Sequence, residues 1–140
     1  MKAIHNYYGS DEINLVRKEQ FTSNDGYYST ILHELSHWSG HPTRLNRFHD
    51  NEWLETRNKK YAFEELVAEI SSAYLCRFFD IDKPIKHSAA YVKSWLTELE
   101  NDTYFVYRAF AKAEQAFKYL LKTAYDNGFS AIPGATEKVA

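Results

Sequence analysis

The sequence predicts an α+β domain that is mostly helical, with a short antiparallel β-ribbon before its first helix. Residues 3–16 alternate weakly between apolar and polar side chains, and Ile13-Asn14-Leu15-Val16 is the best short strand among them. Beyond residue 24, apolar residues recur mainly at helical spacing. The chain has 140 residues, of which 44% are hydrophobic, so it is long enough for one sizeable core. We therefore expect residues 1–140 to form a single domain with a frayed tail from about residue 130.

The first predicted helix follows the ribbon. Its N-cap is predicted at Asn24 or Asp25, and the helix is expected to run to about Ser39, where Gly40 and Pro42 favour a stop. We expect an apolar stripe to bury this helix against the core. The stripe consists of Tyr28, Ile31, Leu32 and Leu35.

Three further helices are predicted from the apolar spacing. Asp82-Lys83-Pro84 breaks the chain after the first of them, and Asn101-Asp102 marks a boundary before the last. The predicted bounds are residues 61–79, 88–100 and 104–125, with Gly128 as the final stop.

Charged residues are common between positions 41 and 60, but they are of both signs. The net charge of −2 and the pI near 6.3 give no global reason to expect nucleic-acid binding. We interpret this segment as a polar surface connection with solvated mixed charges, which forms one wall of a cleft. Its basic residues are Arg44, Arg47, Arg57, Lys59 and Lys60.

The sequence also predicts where the protein works. One cysteine, Cys76, excludes an intrachain disulfide and fits a reducing compartment. We find no signal peptide and no uninterrupted apolar run of about 18 residues, the length that spans a bilayer. We therefore predict a cytoplasmic protein without a membrane partner, either a module of a longer polypeptide or a short stand-alone protein.

The run His33-Glu34-Leu35-Ser36-His37 is typical of a zinc site on one helix. Histidines four positions apart lie about 6 Å apart along the axis on the same face, so both can reach one cation. Glu34 lies at the rim of that face, where a carboxylate can take a proton from metal-bound water. The competing interpretation is a pair of solvated or hydrogen-bonded helix histidines without metal.

A zinc site needs a third protein ligand. The metzincin arrangement would place a histidine at position 43, which is a threonine, so that arrangement is rejected. The second predicted helix instead offers Glu65 and Glu69, four apart on one face. We predict that Glu65 binds the metal and that Glu69 holds the outer ring nitrogen of a ligand histidine. The exchange of these two roles stays open. So does the alternative that all three glutamates of this stretch, Glu64, Glu65 and Glu69, are solvated and pair with Lys59 or Lys60.

Three blocks of the chain, in order, resemble the zincin-like metallopeptidase domain of ArdC-type antirestriction proteins. They are residues 27–47, residues 61–69 and residues 87–95, and the long final helix is similar too. The resemblance implies a gluzincin-like site with His33, His37 and Glu65 as zinc ligands and Glu34 as general base. It also implies that single-stranded DNA is bound only through a separate N-terminal module, which these 140 residues do not contain.

The predicted chemistry is hydrolysis of a polypeptide substrate. Zinc lowers the pKa of its bound water to about 7, and a further donor often stabilises the developing oxyanion. His87 and Tyr91, four apart at the start of the third predicted helix, are candidates for that donor. Two alternatives remain: a non-catalytic module that binds DNA or a restriction enzyme, and a metal-free helical interaction domain.

Overall fold

A two-stranded ribbon precedes three long helices in the computed structural model. The structure describes residues 3–5, 11–49, 52–83, 93, 95–97 and 100–130. Strands β1 (Ala3–His5) and β2 (Ile13–Leu15) pair antiparallel, with Ile4 opposite Asn14. The predicted ribbon is therefore confirmed.

Three helices lie near their predicted positions, although the second begins at Arg57, four residues before the predicted start and inside the segment 41–60 that was predicted to be irregular. They are α1 (Asn24–Trp38), α2 (Arg57–Phe78) and α3 (Thr103–Asp126), and a single 3-10 turn, Lys18–Gln20, precedes α1. Of the helix predicted at 88–100, positions 93, 95–97 and 100 are helical, and the others lie outside the described residues. The mostly helical α+β class is confirmed, whereas the single-domain extent of 1–140 stays a prediction.

Helix ends follow local side-chain chemistry. Ser23 caps α1 by accepting a hydrogen bond from the Gly26 amide at 3.0 Å, so the predicted caps at Asn24 and Asp25 were one or two residues late. Thr56 and Asp102 cap α2 and α3 in the same way. A serine, threonine or aspartate oxygen therefore satisfies a free amide at the start of each helix.

The core lies where α2 packs against α3 on one side and against α1 on another. Aromatic rings fill one end, with Phe63 and Phe105 edge-to-face at 5.5 Å. Alanines let the helix backbones approach closely farther along. The buried stripe of α3 is Phe105, Ala109, Ala113, Ala116 and Leu120, a helical repeat that the sequence pattern predicts.

The buried face of α1 is polar, contrary to the prediction. Tyr28 is 42% exposed, and Ile31, Leu32 and Leu35 are only partly buried. Small polar residues instead face α2, and the Ser36 hydroxyl lies 3.1 Å from that of Ser71. Serines allow a close approach of the two helices because their side chains are short. The buried residues of α1 are Ser29, Glu34, Ser36 and His37.

No helix among the described residues combines the length and the apolar character that crossing a bilayer requires.

Shortening a side chain at the centre of the core should strongly lower the free energy of unfolding. We expect Phe105→Ala to lower the free energy of unfolding by about 3–5 kcal/mol, because Phe105 is 1% exposed and its removal leaves a cavity between helices. Tyr104→Ala is the matched control, since Tyr104 is 68% exposed on the same helix turn. Urea unfolding measures both, and equal losses for the two variants would contradict the core assignment.

Candidate metal centre

Two helices bring together three side chains that could hold a metal ion. His33 and His37 come from α1, and Glu65 comes from α2. Nε2 of His37 lies 3.1 Å from Nε2 of His33 and 3.1 Å from Oε1 of Glu65, and Nε2 of His33 lies 3.4 Å from Oε2 of Glu65. One ligand atom from each residue lies within 4.8 Å of the others.

These separations fit a shared cation. In a tetrahedral site with bonds of about 2.0–2.1 Å, neighbouring ligand atoms are about 3.3 Å apart. The observed distances of 3.1–3.4 Å are close to that value, although the two histidines face different oxygens of the Glu65 carboxylate. His33, His37 and Glu65 could therefore hold one ion without rearrangement of either helix.

The outer ring nitrogens determine which way the imidazoles present their lone pairs. Nδ1 of His33 lies 2.9 Å from Oε1 of Glu69, and Nδ1 of His37 lies 3.1 Å from Oε1 of Glu64. A carboxylate only accepts hydrogen bonds, so each Nδ1 carries a proton and donates it. In the neutral rings, both Nε2 lone pairs then point at each other and at Glu65. Such a cluster of acceptors needs a proton or a metal ion between them.

Each outer glutamate is held in turn by a basic residue from a loop. Arg47 donates two hydrogen bonds to the Glu64 carboxylate, from Nε at 2.7 Å and from Nη2 at 2.6 Å. Lys83 lies 2.8 Å from Oε2 of Glu69 and also donates to the backbone carbonyl of that residue at 3.0 Å. Each histidine thus contacts a glutamate that contacts a basic residue. One series is His37, Glu64 and Arg47, and the other is His33, Glu69 and Lys83.

The electrostatics of the cluster favour positive charge. Burial disfavours charge on His33, but hydrogen bonds with Glu65 and Glu69 outweigh it and raise the pKa of His33 to about 9. The pKa of His37 is also raised: burial opposes charge there, but hydrogen bonds to Glu64 and Glu65 prevail. Burial alone would raise the pKa of Glu65, yet hydrogen bonds from the two histidines hold it far below its usual range. A metal ion entering the cluster would replace protons.

The outer carboxylates are ionised for similar reasons. Burial works to raise the pKa of Glu64, but the Arg47 charge and its hydrogen bonds lower it. Burial has the same effect on Glu69, where the His33 hydrogen bond and the Lys83 charge bring the pKa down to about 2. Both side chains therefore act as acceptors for the histidine N–H groups at neutral pH.

Glu34 is buried beside the two histidines on α1, with 8% of its surface exposed. Within the part of the chain that the structure describes, its carboxylate takes part in no hydrogen bond and no ion pair. It differs in this respect from Glu64, Glu65 and Glu69. The carboxylate is thus free to accept a proton from a bound molecule.

Other predicted residues are placed differently. His87 and Tyr91 lie outside the described residues, so their predicted role stays a prediction. His41 contacts the Thr43 hydroxyl at 2.8 Å and is a loop residue. The prediction of solvated charges was wrong for Arg47, which is 2% exposed because Glu64, the Ser36 carbonyl and the Ser39 hydroxyl accept its hydrogen bonds inside the protein.

Glu64 was not singled out from the sequence, although it is adjacent to Glu65. A position next to the ligand projects about 100° away around a helix, so Glu64 appeared to belong to another face. The structure shows that His37, farther along α1, meets this second face. The sequence did carry a signal for Glu64. A histidine that binds a metal usually donates its other ring nitrogen to an acceptor, so two such histidines require two acceptors.

A groove of about 620 Å³ opens elsewhere, between α2 and α3. Tyr74, one of its lining residues, is nine positions after Glu65, which places it on the opposite face of α2. The groove contains none of the predicted site residues.

This chain is similar to a family model and to several known proteins. The family model described as zincin-like metallopeptidase matches residues 2–112. The DNA primase TraC of Escherichia coli is 43% identical over 112 residues, which are 80% of this chain but 10% of the primase. The chain therefore spans only a small part of that relative.

Two crystal structures of an antirestriction ArdC protein encoded on a plasmid are also similar. The Mn(II)-bound structure has a TM-score of 0.76 and 39% identity, and the match covers 88% of this chain and 44% of that one. The metal-free structure gives a TM-score of 0.77 at 38% identity, covering 93% of this chain and 45% of that one. The fold of these residues thus occurs in a longer protein.

Proposed function

Since this chain belongs to the zincin-like metallopeptidase family, we propose that it hydrolyses peptide bonds with a zinc ion held by His33, His37 and Glu65. The observation that carries the proposal is that Nε2 of His33, Nε2 of His37 and the Glu65 carboxylate approach one another at 3.1–3.4 Å, with Oε1 of Glu65 facing His37 and Oε2 facing His33. Two imidazoles and one glutamate are the ligand set of several zinc peptidases. The Mn(II) of the ArdC structure supports a divalent ion, and zinc is our proposal for this chain.

The bound ion supplies Lewis acidity, which acidifies water and polarises a peptide carbonyl. The protein supplies the base: the Glu34 carboxylate takes a proton from the attacking water and delivers it to the leaving amine. Its burial without a hydrogen-bond partner among the described residues supports this role. Glu64 and Glu69 keep the two imidazoles oriented during the reaction. His87 and Tyr91 are proposed as donors to the oxyanion.

The substrate class is a polypeptide, and the setting we propose is the cytoplasm. Cys76, the one cysteine of the chain, is buried in α2, where it packs as a small apolar residue. A protein of this composition needs no oxidising compartment.

The proposal is tested by linking metal content to hydrolysis. We expect purified protein to bind one equivalent of Zn²⁺ and to cleave an unfolded protein such as casein. A chelator should abolish cleavage, and a stoichiometric addition of Zn²⁺ should restore it. Mass spectrometry of the fragments and elemental analysis of the protein give the two measurements.

A double variant, His33→Ala with His37→Ala, controls for contaminating peptidases and should retain neither metal nor cleavage. Cleavage that persists in this variant, or a wild-type chain that takes up no divalent ion, would rule out the proposed chemistry.

A binding module that keeps the fold and the metal is the second candidate. The likeness to an antirestriction protein at 39% identity favours it. Such a module would act on restriction by occupying DNA or an enzyme, and single-stranded DNA would be contacted through a separate module. It would need no general base, so its effect would survive loss of the Glu34 carboxylate.

A further inference from the structure

Arg47 is one of the most deeply buried charged side chains among the described residues, with 2% of its surface exposed. Its guanidinium donates to both oxygens of Glu64, at 2.7 and 2.6 Å. It also donates to the backbone carbonyl of Ser36 at 2.8 Å and to the Ser39 hydroxyl at 3.2 Å. These four bonds tie the loop after α1 to the end of α1 and to α2.

Glu64 connects this arginine to the metal centre. The oxygen that accepts from Nη2 of Arg47 also lies 3.1 Å from Nδ1 of His37. A carboxylate held by a planar, two-pronged donor has little freedom to rotate. The ring of His37 is consequently fixed with Nε2 toward Glu65, the orientation in which it can bind a cation.

Gly40 makes room for the arginine. A Cβ atom at this position would lie 2.7 Å from Nη2 of Arg47 and 2.5 Å from a ring carbon of Phe48. Its backbone is not in the left-handed region, because Gly128 is the glycine found there among the described residues. The predicted role of Gly40 as a helix stop is therefore replaced by one of close packing.

The glutamate behind His33 is held by a lysine instead of an arginine. Lys83 contacts Glu69 with a single ammonium group, and its side chain is 21% exposed. A lysine on a flexible stem fixes a point charge but not the plane of a carboxylate. The glutamates behind the two histidines thus differ in the geometry of their donors, a planar guanidinium for Glu64 and an ammonium group for Glu69.

We propose that Arg47 is a positioning residue for the metal centre: acting through Glu64, and admitted by Gly40, it fixes His37 in the orientation that binds the ion. This inference rests on the proposed metal site and adds a determinant outside the ligands. Arg47 touches neither the ion nor the substrate, so it is not a catalytic residue.

Arg44 offers a matched control in the same loop. It also forms a two-pronged ion pair, with Asp11 at 2.6 and 3.0 Å, and donates to the backbone carbonyl of Trp38 at 2.6 Å. Its guanidinium lies 3.8 Å from the centre of the Trp38 ring. Arg44 therefore ties the loop to α1 much as Arg47 does, but it contacts no residue of the metal centre.

The test compares Arg47→Lys with Arg44→Lys in the full chain. Both variants keep the charge and lose the planar fork. We expect Arg47→Lys to weaken Zn²⁺ affinity by about 10- to 100-fold, measured against a competing chelator, and to change the visible absorption of the Co²⁺-loaded protein. Arg44→Lys should leave affinity and spectrum as in the wild type, even where it lowers the melting temperature.

Gly40→Ala serves as a second variant if Arg47→Lys does not fold, because it displaces the guanidinium without removing it. It should weaken Zn²⁺ affinity in the same direction. Wild-type affinity and an unchanged Co²⁺ spectrum in a folded Arg47→Lys or Gly40→Ala variant would overturn the positioning role and leave the proposed function intact. A wild-type chain that binds no metal would overturn both.

Discussion

Replacing Glu34 with glutamine should lower kcat/KM for peptide hydrolysis by about 10²- to 10⁴-fold, the range that a general base contributes. Glutamine has nearly the same shape but cannot take a proton from the attacking water. The Glu34 side chain forms no hydrogen bond with the described residues, so among them the substitution breaks no polar contact. Metal content and melting temperature should therefore stay at wild-type values. Initial rates on a fluorogenic peptide, elemental analysis and a thermal melt measure the three quantities.

Glu55→Gln is the matched control for this variant. The Glu55 side chain is 82% exposed and 3.9 Å from Lys59, so the same chemical change occurs there away from the site. Its kinetics should equal those of the wild type. Full activity in Glu34→Gln would exclude Glu34 as the base. If hydrolysis stopped but protection against restriction persisted in cells, the binding module would be the better description.

The helices could be predicted because their signals are local. Apolar spacing set the position of α3 to within one residue at each end, since its buried stripe repeats regularly against α2. The start of α1 was predicted less well, because Ser23, Asn24 and Asp25 are all good N-caps. Only the backbone geometry distinguishes three such neighbours.

The buried face of α1 shows where pattern analysis stops working. An apolar stripe indicates burial when the partner surface is also apolar. The partner of α1 is the polar side of α2, with Ser71 and Glu65, so the side chains that meet there are small or hydrogen-bonded. Apolar spacing could not predict this interface because its side chains are polar. The same interface places ionisable groups inside the protein.

The metal-centre geometry was predictable in part. His33 and His37 share a helix face by spacing alone, and the structure brings both to Glu65. Arg47 was interpreted as a surface charge because sequence neighbours of both signs surround it. Its acceptor, Glu64, is 17 positions away, and no periodicity links a loop residue to a helix residue. A contact between two polar side chains that are distant in the sequence can be identified only when the fold is known.

Replacing Glu65 with glutamine should remove the stabilisation that metal gives to the fold. A ligand that binds only the folded state adds about 2.7 kcal/mol when its free concentration is 100 times its Kd. For a chain of 140 residues this corresponds to a melting-temperature shift on the order of 10 °C. The wild type should show that shift when Zn²⁺ is removed with a chelator, whereas Glu65→Gln should show almost none.

The chelator-dependent shift is the informative quantity, rather than the melting temperature itself. Glu65 is also an anionic partner of His33 and His37 without metal, at 3.4 and 3.1 Å, so the variant changes the metal-free protein too. Comparing each variant with and without Zn²⁺ cancels that contribution. Asp126→Asn provides the control, because Asp126 is exposed at the end of α3 and pairs with Lys122.

Glu65 and Glu69 can be separated by the same measurement. If Glu65 is the third ligand, Glu65→Gln loses the Zn²⁺-dependent shift, and Glu69→Gln only reduces it, because Glu69 contacts the outer nitrogen of His33. The opposite ranking would assign the ligand role to Glu69. A full shift in both variants would mean that neither carboxylate is needed to hold the ion. That result would contradict the proposed site, because two imidazoles alone do not supply three protein ligands.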